Sequence, residues 1–476
     1  MSYLAPSTSS LQSDAERISR GATSGESQSQ RPHTALIHIL DDDSLLNVFS
    51  LYRSFLLGKD NDDDDRFKEG KRQWVEECWW YKLVHVCQRW RNLIFRSASY
   101  LGLSLVCTNG TPVADMLAYS PSLPLVIDYF EGYDGVTAED EEGAILALKQ
   151  RNRVRRVRLF TITNLQKFIA AIDKEYPILE HLIIWNRIKE NTTISMFPET
   201  VEAPHLRHFA LVDITLPIES RLLTTAVHLV TLYLVMNNPH TYFNPNTLLA
   251  WLSFMPKLET LKISFLFSAP DRDVERQPTH PPVMSPVTLP NLYHFYFRGD
   301  STYLEALVHR ITPCPEKLDI CFVIQPTFSV PCLLQLMNTR ENLKFERAIF
   351  RFSEWQAFMA FYPRGEAEMY ALSIAVNGCG FVLQLSSVAK ICNSLSQIFS
   401  AVEHLTLDIG TLDSWSTEEY SLGVNSVGWR QLLSSFSNVK TLRIHKILVE
   451  GVSRCLELDD GDLSLGLLPE LQELIL

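Results

Sequence analysis

Asp60, Asp62 and Asp64 stand where the first, third and fifth ligands of a calcium-binding loop would be. Such a loop needs Gly at its sixth position for a sharp turn and Glu at its twelfth to grip the ion with two oxygens. Asp65 and Lys71 occupy those places, so the acidic run reads as a solvated loop. His205 and His208 are three residues apart, but zinc needs further protein ligands and none lies in the same phrase. The chain has no phosphate-cradling Walker loop, no dinucleotide glycine pattern and no Gly-x-Ser-x-Gly elbow. Asn191-Thr192-Thr193 matches a glycosylation acceptor, which carries meaning only in a secreted chain. Nine cysteines are scattered without a Cys-x-x-Cys pair. They read as reduced thiols, with Cys87 and Cys379 as small buried hydrophobes. No nucleophile, base or cofactor loop emerges. The expectation is a protein that is not an enzyme, with no cofactor and no metal.

Recognition is the chemistry the residues do suggest. A phrase close to Pro-x-Leu-x-x-Leu-x-Leu begins at Pro177, Pro204, Pro256, Pro290, Ala401, Asn438 and Pro469, with looser copies at Asn152–Leu159 and Val227–Leu234. Its alternating apolar residues have the period of a strand. If they are buried, the residues between them face the other way. Those positions hold Arg156, Arg158 and Phe160; His181, Ile183 and Trp185; His208, Ala210 and Val212; Thr231, Tyr233 and Val235. Later copies present Thr260, Lys262 and Ser264; His294, Tyr296 and Arg298; His404, Thr406 and Asp408; Thr441, Arg443 and His445; Glu473 and Ile475. Cations at five of these positions face only Asp408 and Glu473, on a chain of net charge −12. Arg, Tyr, Trp and His favour recognition surfaces. The expected target site is therefore Arg156, Arg158, Trp185, His208, Tyr233, Lys262, Tyr296, Arg298, Arg443 and His445. Guanidinium forks suit carboxylate and phosphate, so the expected target is an acidic or phosphorylated protein segment. All of this depends on the strand register.

The elements that must position these residues can be read as well. Helical patterns precede many of the strands: Leu165, Phe168, Ile169 and Ile172; Leu248, Leu249, Trp251, Leu252 and Met255; Leu304, Leu307, Val308 and Ile311. Helix then strand, recurring at about 23 to 37 residues, is the mark of an αβ solenoid of the leucine-rich kind. The predicted fold is α/β, with residues 101–476 forming an irregular leucine-rich-repeat solenoid, curved, with a largely parallel sheet and outer helices. Residues 315–380 fit worst, with strands expected around Leu318, Ile349 and Leu372, and the Pro-rich stretch 268–290 reads as a protruding loop. The last phrase, Leu471 to Leu476, is expected to be an edge strand and among the less ordered parts of the array. The chain is then either a shortened version of a longer repeat domain or one completed by a partner strand.

Residues 1–33 are polar and low in complexity, and read as a disordered tail. Residues 34–100 read as a small helical domain with an acidic insertion around 58–72. Leu45, Val48 and Phe49 follow an acidic cap, and Leu83, Val86, Cys87, Trp90 and Ile94 line one face of a second helix over Trp79–Phe95. A module this small cannot bury its whole apolar face. Some of Leu40, Leu45, Val48, Phe49, Val86, Trp90 and Leu93 are therefore expected to meet a partner. Across all 476 residues, 46% are hydrophobic and 21% charged, enough apolar material to exclude wholesale disorder. The acidic balance disfavours nucleic acid and anionic lipid. No apolar run is long enough to span a membrane, and the first thirty residues lack a secretory signal, so a cytoplasmic or nuclear protein is expected.

The phrase Leu40 to Phe49, together with Leu83-Val84-His85-Val86-Cys87-Gln88-Arg89-Trp90-Arg91-Asn92-Leu93-Ile94, resembles the F-box. Val-Cys-x-x-Trp-Arg-x-Leu-Ile is the more specific part, and Asp41 stands where the family usually has Pro. From roughly residue 36 to 476 the chain resembles F-box proteins with irregular leucine-rich repeats, a group abundant in mushroom-forming (basidiomycete) fungi. The resemblance implies the target-holding subunit of a Skp1–cullin–F-box ubiquitin ligase. The F-box would dock on a Skp1-like adaptor, and through it on a cullin, while the repeats hold a protein target. The alternative is a leucine-rich-repeat interaction module whose N-terminal helices only cap the array and which recruits no ligase.

Overall fold

The computed structural model describes residues 39–58, 77–131, 136–161, 164–186, 195–266, 286–323, 325, 328–340, 343–365, 369–378, 380–410, 426–456 and 467–476. The expected tail, the acidic run from residue 59, the glycosylation motif, Cys379 and most of the Pro-rich stretch lie outside the described residues. The chain divides into two units, Met1–Ser97 and Ala98–Leu476.

In the first unit, α1 (Asp42–Gly58) starts where the Asp41 carboxylate accepts the Ser44 N–H at 2.7 Å, and Asp42 and Asp43 occupy its first turn. The second helix is shorter than its apolar periodicity suggests. Leu83–His85 form one 3₁₀ turn, and α2 (Gln88–Arg96) begins only after Cys87. Cys87 is extended, as an N-cap residue must be, so one helical pattern is shared by two elements. It is also half-buried rather than buried. The Phe49 and Trp90 rings meet edge to face at 4.9 Å, and Arg89 reaches back to Asp42 at 2.7 Å and to the Leu40 carbonyl at 2.6 Å.

Among its described residues the second unit contains seventeen strands. They are β1 (Leu105–Thr108), β2 (Leu125–Phe130), β3 (Val154–Thr161), β4 (His181–Asn186), β5 (His208–Val212), β6 (Thr231–Met236), β7 (Thr260–Phe265), β8 (Val287–Thr288), β9 (His294–Gly299), β10 (Ile311–Thr312), β11 (Lys317–Val323), β12 (Phe345–Phe352), β13 (Gln356–Pro363), β14 (Leu372–Asn377), β15 (His404–Ile409), β16 (Thr441–Ile444) and β17 (Glu473–Ile475). Fifteen form one sheet in the order β1-β2-β3-β4-β5-β6-β7-β9-β11-β14-β13-β12-β15-β16-β17, and β8 pairs with β10 separately. The end of the Pro-rich stretch is thus a short strand, β8, and not loop. The described helices between the strands are α3 (Ala98–Leu101), α4 (Val113–Tyr119), α5 (Ala138–Leu148), α6 (Leu165–Ala171), α7 (Arg221–Thr225), α8 (Pro245–Leu252), α9 (Ser301–Val308), α10 (Pro331–Asn338), α11 (Phe381–Ser394), α12 (Ser396–Phe399), α13 (Ser426–Leu433) and α14 (Val449–Leu456).

The recurring phrase builds each repeat by the same local contacts. Its proline is the second residue of a tight turn: Leu206 N donates to Ala203 O across Pro204, Leu258 N to Met255 O across Pro256, and Leu292 N to Leu289 O across Pro290. Proline suits that position because its φ is already set. One carbonyl then receives two N–H groups from the next repeat. Glu180 O accepts from Arg207 and His208, Arg207 O from Val230 and Thr231, Val230 O from Glu259 and Thr260, and Glu259 O from Tyr293 and His294. This doubly used carbonyl sets the same register in each copy. Leu182 and Ile184, Leu232 and Leu234, and Leu261 and Ile263 are each 0% exposed as a result.

Residues 315–380 depart from the pattern. Leu318, Ile349 and Leu372 lie on β11, β12 and β14, as expected, but β13 went unseen in the sequence. It pairs antiparallel with β12 on one side and β14 on the other, whereas the other neighbours in the sheet pair parallel. Its residues Gln356–Pro363 carry no leucine phrase, and antiparallel pairs need no crossover helix.

Candidate interaction surface

The strand register lines up the outward residues into rows across the sheet. One row runs Arg156, His181, His208, Thr231, Thr260, His294 and Lys317. The next runs Asp128, Arg158, Ile183, Ala210, Tyr233, Lys262, Tyr296 and Asp319. The third holds Phe130, Phe160, Trp185, Val212, Val235, Ser264 and Arg298. Arg156, Arg158, His208, Tyr233, Lys262, Tyr296, Arg298 and His445 are half-buried, and Trp185 and Arg443 are exposed. Arg156, Arg158, Trp185, His208, Tyr233, Lys262, Tyr296 and Arg298 therefore share one face, opposite the buried leucines; Arg443 takes the same side through its pairing with Thr406, and His445 lies just past the end of β16.

Their electrostatics are less simple than their types. Arg158 is paired with Asp128 at 2.8 Å, a carboxylate on a strand that lacks the phrase. Lys262 stands 6.0 Å above the Tyr233 ring. The His181 and His208 rings stack at 4.3 Å. Burial first, and then the charge of Arg156, pushes His181 down to about 3; the same two causes lower His208. His205 stacks instead on His228, so the two histidines three apart in sequence do not work together. Burial raises the Tyr296 hydroxyl above its ordinary value. Lys317, Arg347 and Arg351 add cations to the same face through strands β11 and β12. They were missed because residues 315–380 have no phrase by which to count. Arg347 lies 4.0 Å over Tyr362 and Arg351 is 3.5 Å from Asp408.

Two clusters could suggest chemistry. Asp319 accepts from the Ser373 hydroxyl and stands 2.7 Å from His294 Nε2, with Lys317 at 3.7 Å. Burial acts to raise the Asp319 carboxyl, but those partners outweigh it and hold it below the usual range. The serine meets the carboxylate and not the imidazole, so this is no nucleophile–base–orienter relay. Glu346, Glu403 and His404 bring one ligand atom each within 4.8 Å of one another. Lys440 Nζ already sits 2.8 Å from Glu403 and holds that carboxyl low. An ammonium thus already pairs with one of the three groups.

In the first unit the expected partner face splits. Leu45 and Phe49 are 0% exposed, and Trp90 and Leu93 are nearly as buried, so these four are core and not contact surface. Packing of α1 on α2 consumes them. Leu40, Val48 and Val86 are exposed. Leu51 and Phe55, which the sequence reading omitted, are exposed too and continue Val48 along α1 at helical spacing. The same helix carries them: α1 runs about two and a half turns beyond Phe49 at ~3.6 residues per turn.

No family model matches the chain. No curated protein matches it either. Among solved structures it is similar to the leucine-rich repeat-containing protein LegL7 from Legionella pneumophila, at 10% identity over 78% of this chain and 89% of that one, with a TM-score of 0.25. A likeness that loose carries no argument. The repeat architecture rests on the chain's own register and hydrogen bonds. No helix among the described residues is long and apolar enough to cross a membrane, and the eight described cysteines form no disulfide.

Proposed function

We propose that the chain is an interaction protein with two contact surfaces and no chemistry of its own. The observation that carries this reading is the open sheet face, which aligns cations, aromatic rings and imidazoles, half-exposed, across a rigid sheet of fifteen strands. Arg, Tyr and Trp dominate binding hot spots. The partner there is a protein target, acidic or phosphorylated, because cations outnumber carboxylates among the aligned residues and guanidinium forks pair with both anions.

The second surface is the apolar side of α1. Val48, Leu51 and Phe55, with Leu40 and Val86, dock on a Skp1-like adaptor and through it on a cullin, so that the chain holds targets for a ubiquitin ligase. A second reading, a repeat module that binds its ligand without a ligase, is favoured by the burial of Leu45, Phe49, Trp90 and Leu93. Calorimetric titration of the full-length protein with purified Skp1 separates the two. Binding that disappears in the double variant Leu51→Asp, Phe55→Asp supports the ligase reading, since each carboxylate costs several kcal/mol in an apolar contact. An absence of binding by the unaltered protein leaves the second reading alone.

A further inference from the structure

The open face changes character along the sheet. At the β2–β4 end, Phe130, Phe160 and Trp185 occupy one row on three adjacent strands, with neighbouring ring centroids 5.7 Å apart. Phe130 is 36% exposed and Trp185 44%. In the next two strands the same row holds Val212 and Val235, at 2% and 8%, so the aromatic row ends at a covered aliphatic step. The ring planes are tilted by 50° and 36° to each other. They do not form the shared flat platform on which a sugar ribbon or stacked bases would lie. Instead they are ridges, and a side chain fits between ridges. Four residues back along β3 and β4 lie Arg156 and His181, with His208 beside them on β5; burial first, and then the Arg156 charge, opposes protonation of both imidazoles.

We propose that this end of the face binds an extended peptide segment of a protein partner. An aliphatic, proline or aromatic side chain sits on the Phe130–Phe160–Trp185 row, and a carboxylate lies at the Arg156 end. The two features are four residues apart on one strand, about 13 Å at ~3.3 Å per residue. An extended peptide running along the strands therefore carries its anchor and its acid about four residues apart. This rests on the open face being the target surface.

The test is selection of a random-peptide display library on the full-length protein. Enriched peptides are expected to pair an apolar anchor with Asp or Glu about four residues away. Their affinity should fall by about tenfold or more in Trp185→Ala and in Phe130→Ser. Exchanging the peptide's acid for its amide should weaken binding to the unaltered protein, which tests the charge without risking the fold. Unpaired enriched sequences, or equal affinity in both aromatic variants, overturn the proposal. Binding of a linear glucan oligomer or oligodeoxythymidine that depends on Trp185, in place of peptide, also overturns it. If the selected peptides respond only to Arg298→Glu and Arg443→Glu, the aromatic row is wrong while the target surface stands. If no variant of the open face matters, or nothing is enriched, both readings fall.

Discussion

His181 shows how a residue type acquires its behaviour from neighbours. Alone, its imidazole would titrate near 6.5; stacked on His208 and half-buried beside Arg156, it is pushed down to about 3. The unfolded chain thus takes up a proton between those values that the folded chain refuses, and stability falls as pH drops below about 6.5. The denaturant midpoint should therefore drop between pH 7.5 and pH 5, and His181→Gln should drop less. An equal drop in both would show that the pair does not control the acid response. The outward placement of His181 and His208 could be read from the phrase. Their stacking could not, because the two rings belong to different repeats. Asp128 and Phe130 were missed for a related reason: β2, Leu-Val-Ile-Asp-Tyr-Phe, is a strand without the repeated phrase, so nothing marked its alternate residues as part of the same face.

Among the elements, β13 is the clearest departure from repetition and invites a contrast within one strand. Phe361 is 0% exposed and stacks on Phe399 at 4.1 Å with the ring planes 3° apart. Phe358 points to the open face and is half-buried. Phe361→Ala should cost about 3–5 kcal/mol by emptying a filled space under the sheet. Phe358→Ala should cost on the order of 1 kcal/mol. Urea unfolding of the two variants checks this, and similar losses would mean that the open face is as closely packed as the helical side. The turn that launches β13 is held by Ser353, whose N–H donates to the Gln356 carbonyl at 2.9 Å and whose hydroxyl donates to the same oxygen. The helices were easier to foresee. The patterns around Leu165, Leu248 and Leu304 became α6, α8 and α9, because an apolar stripe at helical spacing is its own signal. The pattern over Trp79–Phe95 misled, since a 3₁₀ turn and a short helix can share one stripe when an extended residue joins them.

At the scale of the array, each strand is protected chiefly by its neighbours. Leu261 and Ile263 on β7 lie between β6 and β9 and are fully buried. Leu474 and Ile475 on β17 have only β16 beside them among the described residues and are 49% and 38% exposed. β1, at the opposite edge, is buried along Leu105–Cys107. Amide exchange in the full-length monomer should therefore be much faster at Leu474 and Ile475 than at Leu261 and Ile263. Equal protection would mean that the β17 edge is already closed. Local rules were enough to assign the faces of the phrase: period two fixes which side each residue takes and the proline sets the turn, both within a few residues of chain, while the register is completed by N–H groups of the next repeat. They could not say that Asp128 neutralises Arg158, that Lys440 pairs with Glu403, or that Leu45 and Phe49 are core while Leu51 and Phe55 are surface. Each of those depends on groups brought together from distant parts of the chain, and a contact between distant segments leaves no periodic mark in either one.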